Sequence, residues 1–501
     1  MKLVFLPHLK RYSVSILYML FVGFMGALLS AIAVFTYLMD SRAELYPWHK
    51  VKLDEEYTVA KEAEIDSFEK YLGLEGRLFQ QLQDDIYDLP SGLPDSQLNR
   101  FAERSLADPT HYKKNWNRSF IMAPKEPRGG VLLLHGLSDS PYSLRALAVT
   151  LYEQGYYVLG LRMPGHGTAP TGLVHASWQD MASAIKLAAA YVSENTGQQP
   201  MYIIGYSMGA AQAVSYSLDA LQDERLRRAD ALVLISPAIG VSEIAALAVW
   251  QSRLAVLLGI DKLVWNSIGP EYDPYKYTSF AVNAGDQMYR LTREIDRKMA
   301  LLDTSAGTVD FPRTLALMSL ADATVSTHAV VTHLMDKLQN KGNELVLFDI
   351  NRREELTIFL KNDPIAEYEA LLKRGKISFD LRFFTNVSKG STEIAMHHWS
   401  LADKHYEVQA TDMRWPDHVY SLSHVAMPFP PTDSLYGSEP EDSQEGGREG
   451  GQGAGMNLHI GLLETKGEKG VLSIHASDML RLRYNPFYSD MKKRILTFLH
   501  Q

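Results

Sequence analysis

Apolar positions along this chain follow three different patterns. From Tyr12 to Met39 no charged residue occurs. As a helix this stretch reaches roughly 40 Å at about 1.5 Å per residue, enough to cross a hydrocarbon core about 30 Å thick, so a spanning helix is predicted over 13–39 behind a short leader, 1–12. From Leu53 to about Tyr87 the chain is charged, with Tyr57, Ile65, Phe68, Leu72, Leu78 and Leu82 at loosely helical spacing. That predicts a stalk, or a helix packed on the rest of the chain, within an N-terminal region 40–118. The Pro- and Gly-bearing run Leu89 to Pro94 breaks it.

The third pattern begins near Ser119. Val131–Leu134, Tyr156–Leu159, Tyr202–Ile204, Ala231–Ile235, Leu315–Leu320 and Glu344–Phe348 are short runs in which polar residues do not alternate with apolar ones. Such runs suit strands buried on both faces. Helical stretches, Ser143–Gln154 and Ser177–Asn195 among them, lie between the runs, so a doubly wound, mostly parallel α/β sheet is expected over a body 119–501. Two excursions interrupt it. Residues 236–310 are rich in Ala, Leu, Trp and Tyr, include the amphipathic stretch Ile244–Leu258, and are expected to form a helical lid. Residues 351–416 form a second insertion, with strand-like pieces at Ile377–Phe384 and Thr392–Ser400. The Gly- and acid-rich segment 438–455 reads as a disordered loop.

Charge narrows the setting. Lys2, Lys10 and Arg11 precede the apolar stretch, whereas Asp40, Arg42 and Glu44 of mixed sign follow it. By the positive-inside rule the N-terminus lies in the cytoplasm and the body outside the inner membrane. A cleaved signal peptide is the competing expectation, because Ala31 and Ala33 have cleavage-site spacing. A net charge of −9 over 501 residues offers no basic field for nucleic acid. With no cysteine in the chain, disulfides, thiolate metal sites and a thiol nucleophile are excluded.

The chemistry concentrates at Gly205-Tyr206-Ser207-Met208-Gly209, which follows an apolar strand and opens a small-residue helix. A serine in that strained strand-to-helix turn is a nucleophile, and the flanking glycines let strand and helix approach closely. His135-Gly136-Leu137 ends an earlier strand, so the amides of Leu137 and Met208 are the candidate oxyanion donors. The acid follows the serine, after a later strand, and the histidine comes last. Asp322 meets the first condition; its alternative is to cap the helix that follows, and Asp349 is held in reserve. His424, before the Pro-rich loop Pro428–Pro431, is the candidate base, with His418 and His475 as alternatives. His135 and His166 sit in loop motifs that shape a pocket.

Leu132–Ser143, Gly160–Gly167 and Gly205–Gly209 together resemble the α/β-hydrolase superfamily, in particular its bacterial carboxylesterase and monoacylglycerol lipase branch, over about 119–350. The resemblance implies an acyl-enzyme mechanism with Ser207 as nucleophile, Asp322 as acid and the Leu137 and Met208 amides at the oxyanion, and no metal or organic cofactor. In that branch the histidine directly follows the strand matching Glu344–Phe348, yet Asp349-Ile350-Asn351 stands there. The insertion 351–416 is therefore expected to delay the histidine until His424. An anchor near a bilayer, with Trp250, Leu254, Leu257 and Trp265 in the lid, suits a monoglyceride or lysophospholipid. An aminopeptidase-type peptidase and a non-catalytic envelope scaffold that binds other proteins are the rival expectations.

Overall fold

A computed structural model describes residues 6–89, 98–102, 105–240, 261–303, 310–338, 341–352, 363–373, 377–401, 405–439 and 481–500. Its main sheet comprises β1 (Phe120–Met122), β2 (Gly130–Leu134), β3 (Tyr157–Leu161), β4 (Met201–Tyr206) and β5 (Ala231–Ile235). β6 (Trp265–Ser267) and β7 (Phe280–Ala281) pair apart from it. β8 (Arg313–Ser319), β9 (Glu344–Phe348), β10 (Asp380–Asn386), β11 (Glu393–Ser400) and β12 (His405–Arg414) complete the main sheet, in the order β1-β3-β2-β4-β5-β8-β9-β10-β11-β12. Neighbours from β3 through to β10 are parallel. β1 and the β10-β11-β12 meander are antiparallel edges.

Strand residues point alternately to the two faces of the sheet, so a fully apolar strand feeds two cores at once. Leu132, Leu134, Ile203, Leu234 and Leu347 enter one core, under helices Trp178–Thr196, Met208–Gln222 and Val282–Asp303. Val131, Leu133, Ile204, Val233 and Val346 enter the other, under Arg145–Glu153 and Tyr488–Leu499. The first of these helices starts at Ser177, whose hydroxyl accepts from the Asp180 amide while the Asp180 carboxylate accepts from the Ser177 amide. This reciprocal cap satisfies two otherwise orphaned donors.

The second excursion becomes part of the main sheet. After β9 the helix Ile365–Lys373 leads into β10, which pairs parallel with β9, and two reversals add β11 and β12. The strand-like pieces read from sequence correspond to β10 and β11; β12 carried no clear alternation because much of it is exposed at the edge. In the first excursion, residues 241–260, including Trp250, Leu254 and Leu257, lie outside the described residues. Helix Val282–Asp303 packs against Met208–Gln222, and Trp265 is fully buried beside Leu173, Tyr277 and Ala281. Of the expected loop 438–455, all beyond Glu439 lies outside the described residues.

At the N-terminus, helix Leu6–Asp40 is the one helix among the described residues long and apolar enough to cross a membrane, with mean hydropathy 2.2 over Ile16–Phe35. The segment C-terminal to this helix is fastened to the body. Helix Phe68–Leu82 buries Phe68, Tyr71 and Leu74 in the sheet core, and its Glu75 carboxylate accepts from Arg162 Nε at 3.1 Å. Glu56 takes the other side of that guanidinium at 3.0 Å. His49 is buried: its Nδ1 accepts from the Tyr46 amide, which leaves Nε2 to donate to Ser279 Oγ at 2.9 Å. Burial, with Lys50 adding to it, lowers the His49 pKa to about 3.

This docking has two measurable consequences. Replacing Arg162 by Met leaves two carboxylates facing each other in a dry site and costs about 3–5 kcal/mol, the range for breaking a buried ion pair. Urea unfolding of the purified variant measures it, and a loss under about 1 kcal/mol would contradict the buried network. His49 stays neutral in the folded chain while the unfolded imidazole takes a proton near pH 6.5. Its contribution is therefore complete above pH 6.5 and declines by about 1.4 kcal/mol per pH unit as pH falls toward 3. Unfolding midpoints at pH 7 and pH 5 test this, because the advantage of wild type over His49→Gln must shrink at the lower pH.

Candidate active site

β4 ends at Tyr206, and Ser207 turns the chain into helix Met208–Gln222 with φ +54° and ψ −114°, a conformation L-residues avoid. Neighbouring elements hold it there. The Ser207 amide donates to Ile235 O at 2.9 Å, and Ser207 O accepts from the Ala238 amide at 3.1 Å. A Cβ on Gly205 would stand 2.5 Å from the Ala210 backbone, and one on Gly209 would stand 2.1 Å from Leu134 O. Both glycines are therefore imposed by the close seating of the helix on the strand ends.

The Ser207 hydroxyl lies 3.0 Å from His424 Nε2, and His424 Nδ1 lies 2.7 Å from Asp322 Oδ2. With the carboxylate accepting from Nδ1–H, the Nε2 lone pair faces the hydroxyl, which is the tautomer that can take its proton. Asp322 also caps its own loop, because Oδ1 accepts from the Thr324 and Val325 amides at 2.8 and 3.0 Å. One oxygen of this carboxylate thus faces His424 while the other caps the loop.

His424 arrives by a detour. Leaving β12, the chain returns past the end of β9, where Asn351 receives it: its amide donates to Tyr420 O and its Nδ2 to Val419 O, each at 2.8 Å. A short 3₁₀ turn, His424–Ala426, then sets the imidazole. Tyr206 O–H donates to His424 O at 3.3 Å, and the Ser423 hydroxyl donates to Leu482 O. The Asn351 clamp and the Tyr206 prop were both missed by reading the sequence. Asn351 had signalled itself only as the departure from the usual position of the histidine.

The other candidates are occupied elsewhere. Asp349 is fully buried, accepts from Nε and Nη2 of Arg352, and accepts from Thr385 Oγ1 at 2.7 Å. His135 Nε2 accepts from the Met163 amide at 3.1 Å, and its ring meets that of His166 edge-on at 5.0 Å. Burial holds His135 well below its ordinary pKa and lowers His166 to about 4, so both remain neutral and fasten the 163–166 loop to the end of β2. His418 sits in a left-handed turn, φ +63°; His475 lies outside the described residues.

Met208 is the first residue of its helix, so no helical carbonyl accepts from its amide. Leu137 stands in the turn closed by the Asp139 amide on Gly136 O at 3.2 Å. Both residues line one small apolar pocket of about 10 Å³, room for about one water molecule, walled further by Leu173, Trp178, Met288 and Leu291.

The chain is similar to several known proteins. Residues 125–350 match the family model described as serine aminopeptidase, S33. A thermostable monoacylglycerol lipase of Bacillus sp. (strain H-257) is 31% identical over 80 residues, 16% of this chain. The match spans 31% of that relative's length. Among solved structures, the Paleococcus ferrophilus monoacylglycerol lipase aligns with TM-score 0.35 and 18% identity, covering 46% of this chain and 88% of that one. A structure reported with the metagenome-derived lipolytic enzymes LipS and LipT aligns with TM-score 0.36 and 21% identity, covering 52% of this chain and 96% of that one. Residues 125–350 are therefore similar to the S33 family of serine hydrolases, and 80 residues of the chain to a monoacylglycerol lipase.

Proposed function

We propose that the chain is a membrane-tethered serine hydrolase that cleaves carboxylic esters of lipid-like acids, such as a monoglyceride or a lysophospholipid. The observation that carries this is the continuous hydrogen-bonded path from Asp322 through His424 to Ser207 at the tip of a buried strand. His424 takes the Ser207 proton as Oγ attacks the ester carbonyl, and Asp322 stabilises the imidazolium. The Leu137 and Met208 amides hold the oxyanion, whose charge exists only in the transition state. His424 then protonates the departing alcohol, and water, activated by the same imidazole, releases the acid. The acyl chain packs against the apolar side chains around Leu137 and Met208.

In this reading residues 13–39 anchor the chain with its N-terminus in the cytoplasm, 40–118 dock on the body, and 236–310 cover the site. Residues 351–416 are an insertion that reroutes the histidine. The peptidase alternative requires an acidic group for a substrate amine, and Asp139, two residues past Leu137, is already engaged by Lys276 at 2.7 Å.

Ser207→Ala is expected to abolish both labelling by a fluorophosphonate probe and hydrolysis of aryl esters; persistence of either in the variant would sink the assignment. Asp322→Asn is expected to lower kcat by about 10³–10⁴ with the fold intact, because the wrong imidazole tautomer then faces the serine. Asp349→Asn should instead lower the unfolding midpoint while probe labelling continues. Steady-state assays of both variants, with peptide anilides run beside the esters, separate the three functional readings.

A further inference from the structure

The turn that carries the Leu137 amide is gripped by a segment of the excursion 236–310 that the proposed chemistry does not use. Gly136 O accepts from the Asp139 amide at 3.2 Å, so Gly136 to Asp139 form a four-residue turn. Ser138, its third residue, has φ +64°, a left-handed conformation that such turns usually give to glycine or asparagine. Two consecutive residues hold it there. The Tyr277 amide donates to Ser138 O at 2.8 Å, and Lys276 Nζ donates to Asp139 Oδ1 at 2.7 Å. Asp139 is buried, and its other oxygen crowds Gly136, where a Cβ would stand 2.7 Å from Oδ2.

Lys276 and Tyr277 are themselves fixed from several sides. The buried Asp273 carboxylate accepts from the Tyr275 and Lys276 amides at 2.9 and 3.1 Å on one oxygen, and from the Tyr436 hydroxyl at 2.6 Å on the other. Tyr275 stacks on Tyr142, just beyond the turn, with ring centroids 4.0 Å apart. The Tyr277 hydroxyl accepts from the Thr168 amide at 2.8 Å, which ties the same segment to the chain just past the 163–166 loop. The turn at Ser138 therefore rests on a braced wall of protein. Hydrogen bonds between charged groups are roughly twice as strong as neutral ones, which suits the Lys276–Asp139 bond to holding a strained backbone.

We infer that Lys276 and Tyr277 buttress the oxyanion hole: the Lys276–Asp139 ion pair and the Tyr277 amide on Ser138 O keep the turn in the conformation that aims the Leu137 amide at the developing charge. This rests on the hydrolase reading above and deepens it, because it makes transition-state stabilisation depend on a residue 137 positions along the chain from Asp139. A preset oxyanion donor is worth about 10²–10³ in kcat. A turn that misdirects the Leu137 amide part of the time forfeits part of that factor, and the loss falls on kcat because the donor acts on charge that the bound ester has not yet developed. Neither Lys276 nor Tyr277 touches the reacting atoms; both are positioning residues.

The test uses the full-length chain in detergent micelles, a water-soluble aryl ester, and an alkyl trifluoromethyl ketone, whose adduct with a nucleophilic serine is a tetrahedral oxyanion. Lys276→Met and Asp139→Asn should each lower kcat about tenfold with KM within about twofold, and should weaken the ketone by the factor that kcat/KM loses. The double variant should be no worse than the worse single one, since both remove the same pair. Lys276→Arg, which keeps the charge, should recover most of the rate. Ser138→Gly added to Lys276→Met should recover part of it, because glycine holds a positive φ unaided, a repair that lost packing would not receive. Should the methionine variant fail to fold, Lys276→Gln repeats the measurement with a polar side chain. An undiminished kcat, a ketone affinity that stays constant while kcat falls, or losses that multiply in the double variant would overturn the buttress while leaving the hydrolase reading in place. Absence of aryl ester turnover and of fluorophosphonate labelling in wild type would remove the hydrolase reading and this inference with it.

Discussion

The structure depends on one strained backbone residue. Ser207 at φ +54° sits where β4 becomes a helix, and strain of this kind costs about 1–3 kcal/mol. It persists because the Ile235 carbonyl and the Ala238 amide grip the serine from both sides while Gly205 and Gly209 let helix and strand touch. The β4 neighbours then serve a second purpose: a rigid, fully buried sheet prevents the turn from relaxing, so the hydroxyl points out of the strand tip toward His424.

That dependence explains which parts of the chain could be read beforehand. The elbow, the buried runs and the parallel order were legible because each is encoded locally: strands buried on both faces leave no polar alternate, and the serine turn requires small residues at fixed offsets. Asp322 was legible for the same reason, as the first acid past a buried strand. The route to His424 was not, because it is set by pairs distant in sequence. Nothing near Asn351 announces that its side chain will hold Val419, and nothing near Tyr206 announces that its hydroxyl will meet the His424 carbonyl. The bonds from Arg42 to the carbonyls of Lys262, Trp265 and Asn266 are similarly hidden, since a lone arginine after an apolar helix reads as topology rather than as a donor to distant carbonyls.

β12 shows the opposite limit. It lies at the edge of the sheet with Tyr406 and Val408 exposed, so the alternation that marks a half-buried strand is blurred. β10 by contrast alternates cleanly, its Leu381 and Phe383 buried and Arg382 turned toward Glu344 at 2.9 Å. Edge strands are specified by their partner more than by their own pattern, and the partner of β12 is the insertion itself.

The segment from β9 to β12 also alters what His424 depends on. In a chain whose base directly follows β9, the imidazole would be positioned by the end of one central strand. Here the corresponding place is filled by Asp349, whose carboxylate is committed to Arg352 and Thr385 and so braces β9 against β10. The imidazole is set instead by a returning segment clamped at Asn351, propped by Tyr206 and tied through Ser423 to Leu482. Loop-closure entropy grows only as the logarithm of length, so the longer route costs little in stability. It does make the position of the His424 imidazole depend on contacts from three separate parts of the chain. A disturbance in the β10–β12 meander therefore displaces the His424 imidazole, whereas Ser207, Leu137 and Met208, seated at the ends of the central strands, remain in place.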